Sequence, residues 1–243
     1  MTTLDSRRLQ WHNPVKVSSL QHTNRRYEQD LSELRETLLR MGELVCGQIG
    51  DAVQCLFAGD ADGAAAIVAR DAEVNRLDSE IDERCVRVLA LNQPAASDLR
   101  MIMASLKITT DLERIGDQAV SICKPLSDAA SRGVFGVDAD IERMATMART
   151  MVKSSLEALE NNDSVLAKAV IETDDEIDAL HRQVLNQLLN AMVEEPTGIG
   201  LGTKLVFVSR SLEKIADHAA NVAESVVFMV EGLDIRHRGS SPA

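Results

Sequence analysis

Apolar residues recur along this chain at helical spacing, in long runs separated by short polar breaks. Leu31, Leu34, Leu38, Met41, Leu44 or Val45, Ile49, Val53 and Leu56 share one stripe, the i, i+3, i+4, i+7 pattern of an amphipathic helix. The spacing predicts a first helix from near His22 to Phe57, ended by Gly59 in AGDADG, with Asp60 or Asp62 capping the next. Ile67, Val74, Leu77, Ile81, Cys85 and Val88 carry a second helix from about Asp62 to Leu91. Pro94 breaks the pattern in LNQPAASD, and Ser97 or Asp98 is the expected cap of a third helix reaching about Asp128. That helix carries Met101, Ile108, Leu112, Ile115 and Ile122 on one side, and Leu99, Met103 and Leu106 on the other. A helix apolar on two sides belongs at the centre of its bundle.

The order then repeats. A glycine-containing joint, SRGVFGVDAD at 131–140, is the best domain boundary. After it come a helix over about 138–160, a break at NND (161–163), and a helix over about 163–194. The stripe Ile177, Leu180, Val184 and Leu188 echoes the first repeat at an offset of 103 residues. EEPTGIG (194–200) replaces NQPAAS, and a last helix ends near Glu231-Gly232. Long helices joined by short turns lie antiparallel. The expected fold is all-α, two tandem repeated three-helix bundles over 22–130 and 138–232. Residues 1–21, where Trp11 reads as a docking contact, are expected to form a flexible arm, and 233–243 a flexible tail.

Composition narrows the function. The net charge of −12 over 243 residues argues against nucleic acid or an anionic membrane surface as partner, and favours cations or basic protein patches. The first twenty residues lack the apolar core of a signal peptide. No run of about 18 apolar residues occurs, so the cytoplasm is the expected location. Cys46, Cys55, Cys85 and Cys123 form no CxxC pair and read as small buried hydrophobes. Aromatic residues are only 2% of the chain, which leaves no platform for a sugar and disfavours a glycosidase reading of its carboxylates.

Those carboxylates follow a pattern. LERIGDQA (112–119) and LEKIADHA (212–219) each place Glu and Asp four residues apart, Glu113 with Asp117 and Glu213 with Asp217. A like-charge pair at this helical spacing costs a few tenths of a kcal/mol, so a basic partner, solvent or a bound cation must offset it. In the first copy the acids continue the Leu99–Met103–Leu106 side, near the core. On the second helix Asp71, Asn75, Asp78 and Asp82 form a row, the first three matched by Asp174, Asp178 and His181 in the second half. Asp71 and Asp117 stand equally far from Pro94, as do Asn75 and Glu113. Asp174 with Asp217, and Asp178 with Glu213, are within one residue of equal distance from Pro196. Each bundle should therefore present four oxygen ligands from two facing helices, with Asp78 or His181 as an extra.

Such a set suits divalent or trivalent cations, Fe, Mn, Mg or Ca, with Zn admissible beside the histidine. Carboxylates can bridge, so a cluster could be multinuclear. The second set carries four formal charges against three, which predicts tighter binding there, although Arg210 could pair with Glu213 instead. Neither Glu113 nor Glu213 has a histidine three residues on, which weighs against ferritin-like oxygen chemistry. There is no GxxxxGK[ST] or GxGxxG loop. A metal-dependent oxidase or hydrolase, or a plain helical scaffold with solvated acids, remain the alternatives.

With these residues in view, the chain resembles the PhoU family of regulators of bacterial phosphate-specific transport. The resemblance rests on the duplicated six-helix pattern, on VNRLDSEIDERCVRVLALNQPAASDLR (74–100), on DLERIGDQA (111–119) and on SLEKIADHAANVAE (211–224). The family motif is an Asp or Glu followed four residues later by Asp. Glu113–Asp117, Glu213–Asp217 and Asp174–Asp178 fit it, and Asp71–Asn75 departs by its amide. The resemblance implies a non-enzymatic, cytoplasmic homodimer with multinuclear iron or zinc clusters. It also implies negative regulation of phosphate uptake and of the phosphate-starvation response. The implied partners are the ATPase of the phosphate ABC transporter and a membrane sensor histidine kinase, so the membrane would be reached only through proteins.

Overall fold

The computed structural model of the chain describes residues 17–124 and 135–235, with side chains from residue 25 onward. The expected N-terminal arm with Trp11, the end of the third helix beyond Lys124, and the tail beyond 235 lie outside the described residues, apart from the stretches noted here. Six helices account for nearly all of what is described: α1 (Val17–Ala58), α2 (Ala61–Leu91), α3 (Ala96–Cys123), α4 (Asp138–Asn161), α5 (Ser164–Glu194) and α6 (Ile199–Glu231). A 3-10 turn, Pro196–Gly198, joins the last two. The fold is all-α, two three-helix bundles, α1–α3 and α4–α6.

The corner of each bundle is built the same way. Asp60 caps α2 by accepting from the Gly63 amide at 2.9 Å. Asp163 caps α5 by accepting from the Val165 and Leu166 amides, each oxygen satisfying donors that the first helical turn leaves open. The chain enters both corners through a left-handed residue, Gly59 at φ 67° and Asn162 at φ 51°, residue types that tolerate that conformation. Two expected boundaries differ. Neither Ser97 nor Asp98 caps α3; its N-cap is Ala95, without a side-chain bond. Asp98 instead accepts from the Tyr27 hydroxyl at 2.8 Å, tying α3 to α1. And α1 starts at Val17, before His22, because no glycine or proline stands between Pro14 and Gly42 to interrupt it.

The predicted stripes form the core. Leu38 and Ile49 of α1, Leu77 and Ile81 of α2, and Ile108 and Leu112 of α3 are fully buried, as are Ile177 of α5 and Ile215 of α6. The second apolar side of α3 is not buried as expected: Leu99 and Met103 are each 42% exposed. The neighbour that makes α3 central is α6, and it covers a different flank. Arg100 Nε donates to the Met229 carbonyl at 3.1 Å, Lys107 Nζ sits 5.2 Å from the Phe228 ring, and His218 Nδ1–H donates to Asp111 at 2.9 Å. Cys55, Cys85 and Cys123 are buried and Cys46 partly so, all as free thiols, which agrees with their reading as small apolar residues.

These contacts advance along α3 while retreating along α6, so the two helices are antiparallel, with Ile115 and Ile215 at the same height. The α1–α4 contact is antiparallel too, running from Arg35 against Asn162 to Cys46 against the Arg149 carbonyl. Gly42 lets the two helices approach, since a side chain there would collide with Leu156. The bundles are thus related by an approximate twofold, and the two acid-bearing helices α3 and α6 lie against each other at its centre. Among the described residues no helix is long and apolar enough to cross a membrane.

Leu112, at 0% exposure on the central helix, tests this packing. Leu112→Ala is expected to lower the unfolding free energy by about 2–5 kcal/mol, read by urea denaturation followed by far-UV circular dichroism. A loss well below 1 kcal/mol would mean that α3 is not at the core.

Candidate metal centre

In the second bundle, Asp174, Asp178 and His181 stand on the flank of α5 beside the buried stripe of Ile177, Leu180 and Val184. Their spacing, one or two helical turns, aims them the same way. Glu213 and Asp217 do the same on α6, between the buried Leu212 and Ile215 and the next turn's Ala216 and Ala219. The antiparallel turn brings the rows to one height. A carboxylate oxygen from each of Asp178, Glu213 and Asp217 falls within 4.8 Å of the other two.

The acids perturb one another. Asp174 is pushed up to about 6 by burial first, then by the charges of Asp217, Asp178, Asp175 and Glu213. Glu213 is raised by burial, then by Asp217 and Asp178, with Arg210 and Lys214 opposing. Asp217 is raised by burial and then by Asp178. Burial also holds the His181 imidazole below its ordinary value, more than Asp178 raises it, and its buried Nδ1 has no hydrogen-bond partner among the described residues. Arg210 acts on Glu213 only through space and forms no ion pair with it among the described residues. Arg182 reaches Asp178 at 3.8 Å from an exposed position, where such a pair contributes little.

The first bundle is looser. Asp71 is raised by burial and then by Asp117, while the exposed Asn75 donates its amide to Asp71 at 3.3 Å. Glu113 is raised by burial, then by Asp117, with smaller contributions from Asp78 and Asp71 and an opposing one from Arg114. Asp78 is raised by burial and by Asp82, which lies outside the proposed site. Arg114 bridges Glu113 at 3.4 Å and Asp117 at 3.7 Å. Among the described residues, three first-bundle acids do not converge within 4.8 Å as the second-bundle acids do.

Behind the first row lies a residue that the sequence reasoning missed. Gln48 of α1 is fully buried, and neither amide atom has a hydrogen-bond partner among the described residues. Leaving such a group unpaired costs about 1–3 kcal/mol. Its Oε1 lies 3.6 Å from where a Cβ on Gly116 would sit, and Asp71 Oδ1 lies 3.2 Å from the same point. The available signal was a glutamine on the apolar stripe of α1, where the second repeat has Met151. His218 was missed as well. It joins Asp111, which also accepts from Asn221 at 3.3 Å, so a polar contact links α6 beside the second acid set to α3 beside the first.

The donors fit a cation. Asp174, Glu213 and Asp217, raised by burial and then by neighbouring acids, gain from any positive ion, and an uncharged imidazole beside them is the form that ligates Zn or Fe. A cleft of about 580 Å³, lined in part by Arg114, Asp174, Lys214, Asp217 and His218, opens this seam to solvent.

Comparison with known proteins identifies the fold. The model of the PhoU domain matches residues 38–126 and again 141–226, one match per bundle. The chain is 37% identical over 225 residues to the phosphate-specific transport system accessory protein PhoU homolog of Pseudomonas putida, covering 92% of this chain and 88% of that protein. The homolog of the same name from Pseudomonas aeruginosa is 36% identical, with 92% and 93% covered. The crystal structure of PhoU from Pseudomonas aeruginosa superposes with a TM-score of 0.81 at 36% identity, covering 85% of this chain and all of that one. The phosphate transport system regulatory protein PhoU of Streptococcus pneumoniae gives 0.80 at 26% identity, with 86% and 99% covered.

The raised Asp174 has a signed consequence. Its folded value is about 6 against an ordinary 3.8. Above pH 6 it is ionised folded and unfolded, and the folded state bears the full cost. As pH falls from 6 toward 3.8 only the folded form takes up the proton, and the cost disappears. In metal-free protein, Asp174→Asn is therefore expected to raise stability by about 1–2 kcal/mol at pH 7.5, a value discounted because the side chain is only half-buried, and to change nothing near pH 4. Denaturation curves at the two pH values check this; a loss of stability at pH 7.5 would contradict it.

Proposed function

The chain belongs to the PhoU family, and from that premise we propose that it is a metal-binding negative regulator of phosphate uptake and of phosphate-starvation signalling. PhoU-family proteins are non-enzymatic regulators in phosphate homeostasis, so the oxidase or hydrolase reading of the same carboxylates is set aside. The observation that carries the metal part of the proposal is the convergence of Asp178, Glu213 and Asp217 within 4.8 Å, with the uncharged His181 alongside. Asp174 completes this set, and iron or zinc is the ion best matched to it. Asp71, Asn75, Glu113 and Asp117, with Asp78 as an extra, form a second, weaker site, in which the Asn75 amide stands where the other set has the Asp178 carboxylate. Ions there would neutralise charge and hold the facing helices α2–α3 and α5–α6 together.

The partners proposed are the ATPase of a phosphate ABC transporter and a membrane sensor histidine kinase, engaged in the cytoplasm by a homodimer. Support comes from the relatives, named as accessory to phosphate-specific transport, and from the net charge of −12, which suits basic protein patches. A rigid acidic body without a membrane-crossing helix among its described residues would then work at the membrane through these proteins alone.

Deleting the gene tests this. In high phosphate the deletion strain is expected to express its phosphate-starvation genes, and the wild-type gene to restore repression. Asp217→Asn, at the convergence of the second set, is expected to restore it only in part. A deletion strain that stays repressed in high phosphate would contradict the regulatory proposal. Full repression by Asp217→Asn would contradict the role given to the metal.

A further inference from the structure

Five buried hydroxyls among the described residues are satisfied by their own helices. Thr37, Ser105, Thr109, Ser155 and Ser209 each donate to a main-chain carbonyl three or four residues back. Gln48 is different: at 0% exposure, both its amide atoms lack a hydrogen-bond partner among the described residues. A buried amide of this kind calls for a partner such as an ordered water or an ion. Its surroundings say what that is. Gly116 leaves a space bounded by Gln48 Oε1, Asp71 Oδ1 and the Val74 side chain, the three nearest atoms to a Cβ built there. Gly116 lies between Glu113 and Asp117 on the acid-bearing turn of α3.

The second bundle provides the comparison. The helix caps Asp60 and Asp163 set the alignment of α1 with α4, which puts Met151 where the first bundle has Gln48. The motif alignment puts Ala216 where it has Gly116. Met151 and Ala216 are buried as well, so that corner is filled by a thioether and a methyl group. One repeat keeps an amide and a glycine; the other has buried apolar side chains at both positions and carries His181 where the first has Asp78.

We propose that Gln48 is a cation-selecting residue of the first bundle, its amide carbonyl joining Asp71 and Asp117 in an all-oxygen site for a hard divalent ion such as Mn²⁺ or Mg²⁺. This rests on the reading that the acid sets bind cations. It adds that the two sets differ in kind. Carboxylate and amide oxygens suit hard ions such as Mn²⁺ and Mg²⁺, whereas the second set adds an imidazole, a donor that suits Zn²⁺. Gly116 is the residue that leaves room for the ion beside the amide. An ion there satisfies the Gln48 carbonyl and relieves the repulsion between Asp71 and Asp117 together.

The test titrates Mn²⁺ alone and Zn²⁺ alone into metal-stripped full-length protein by calorimetry, with Mn²⁺ electron paramagnetic resonance as a second readout. Four variants are compared with wild type: Gln48→Met, Gly116→Ala, Asp117→Asn and Asp217→Asn. Gln48→Met copies the residue of the other repeat and is expected to weaken Mn²⁺ binding by about 10–100-fold. It should leave intact the Zn²⁺ phase that Asp217→Asn removes. It should also raise the melting temperature of the stripped protein by about 2–4 °C, because an unpaired amide is replaced by an apolar side chain. Weaker binding with higher stability is a combination that simple structural damage does not produce. Gly116→Ala, which fills the space beside Asp71 and Gln48 while leaving every ligand in the sequence, is expected to lose Mn²⁺ similarly. If Gln48→Met and Gly116→Ala bind Mn²⁺ as wild type does while Asp117→Asn loses it, Gln48 has no such role and the acid site stands without it. If Asp117→Asn and Asp217→Asn also bind both metals like wild type, the cation reading itself fails and the inference falls with it.

Discussion

Four carboxylates, Asp174, Asp178, Glu213 and Asp217, share one partly buried seam, and their mutual repulsion is the constraint around which the second bundle is arranged. None can turn away cheaply. Ile177 and Leu180 on α5, and Leu212 and Ile215 on α6, are all buried, and rotating either helix to release the acids would draw those residues out of the core. Burial of an apolar side chain is worth about 1.5–3 kcal/mol, several of them against a repulsion that protonation or a cation can relieve. The core therefore wins, and the acids stay together, with the pKa values of Asp174, Glu213 and Asp217 raised. A proton relieves this only toward pH 6 and below. At neutral pH a metal ion does it better.

Duplication carries this arrangement into the whole molecule. Because both the α1–α4 and α3–α6 contacts are antiparallel, one approximate twofold relates the bundles and sets the two acid-bearing helices side by side. Their contact includes the pairing of Asp111 with His218 and Asn221, rather than apolar packing alone. Asp217 precedes His218, and Glu113 follows Asp111 by two residues, so each acid pair adjoins one end of that polar link. The repeats have nevertheless diverged where it matters chemically, at Asn75 against Asp178, Asp78 against His181, Gln48 against Met151 and Gly116 against Ala216.

Much of this was legible in the sequence, and the exceptions have physical reasons. The six helices, the Asp60 cap and the facing of Asp71 with the Gly116–Asp117 turn follow from periodicity and from counting outward from Pro94. Those are local properties of a helix and a short turn. What failed depended on a neighbour that spacing does not identify. Leu99 and Met103 form an apolar side of α3 by pattern, yet α6 packs on the Arg100–Lys107–Asp111 flank instead. Asp98 looked like a cap but is taken by Tyr27, a residue seventy-one positions away. Arg210 stands one turn before Glu213 without closing on it. Gln48 was invisible for the same reason: one polar residue on an apolar stripe reads as tolerance until the glycine opposite it is known.

Elemental analysis of the wild-type protein, purified without a chelating tag or chelator, tests the central claim most directly. The account predicts at least one equivalent of transition metal per chain that survives dialysis, and a fall in stability when a strong chelator strips it at pH 7.5. Protein that carries no metal, and whose stability at that pH is unchanged by added Fe²⁺, Zn²⁺ or Mn²⁺, would contradict it: the carboxylates would then be held together by the core alone.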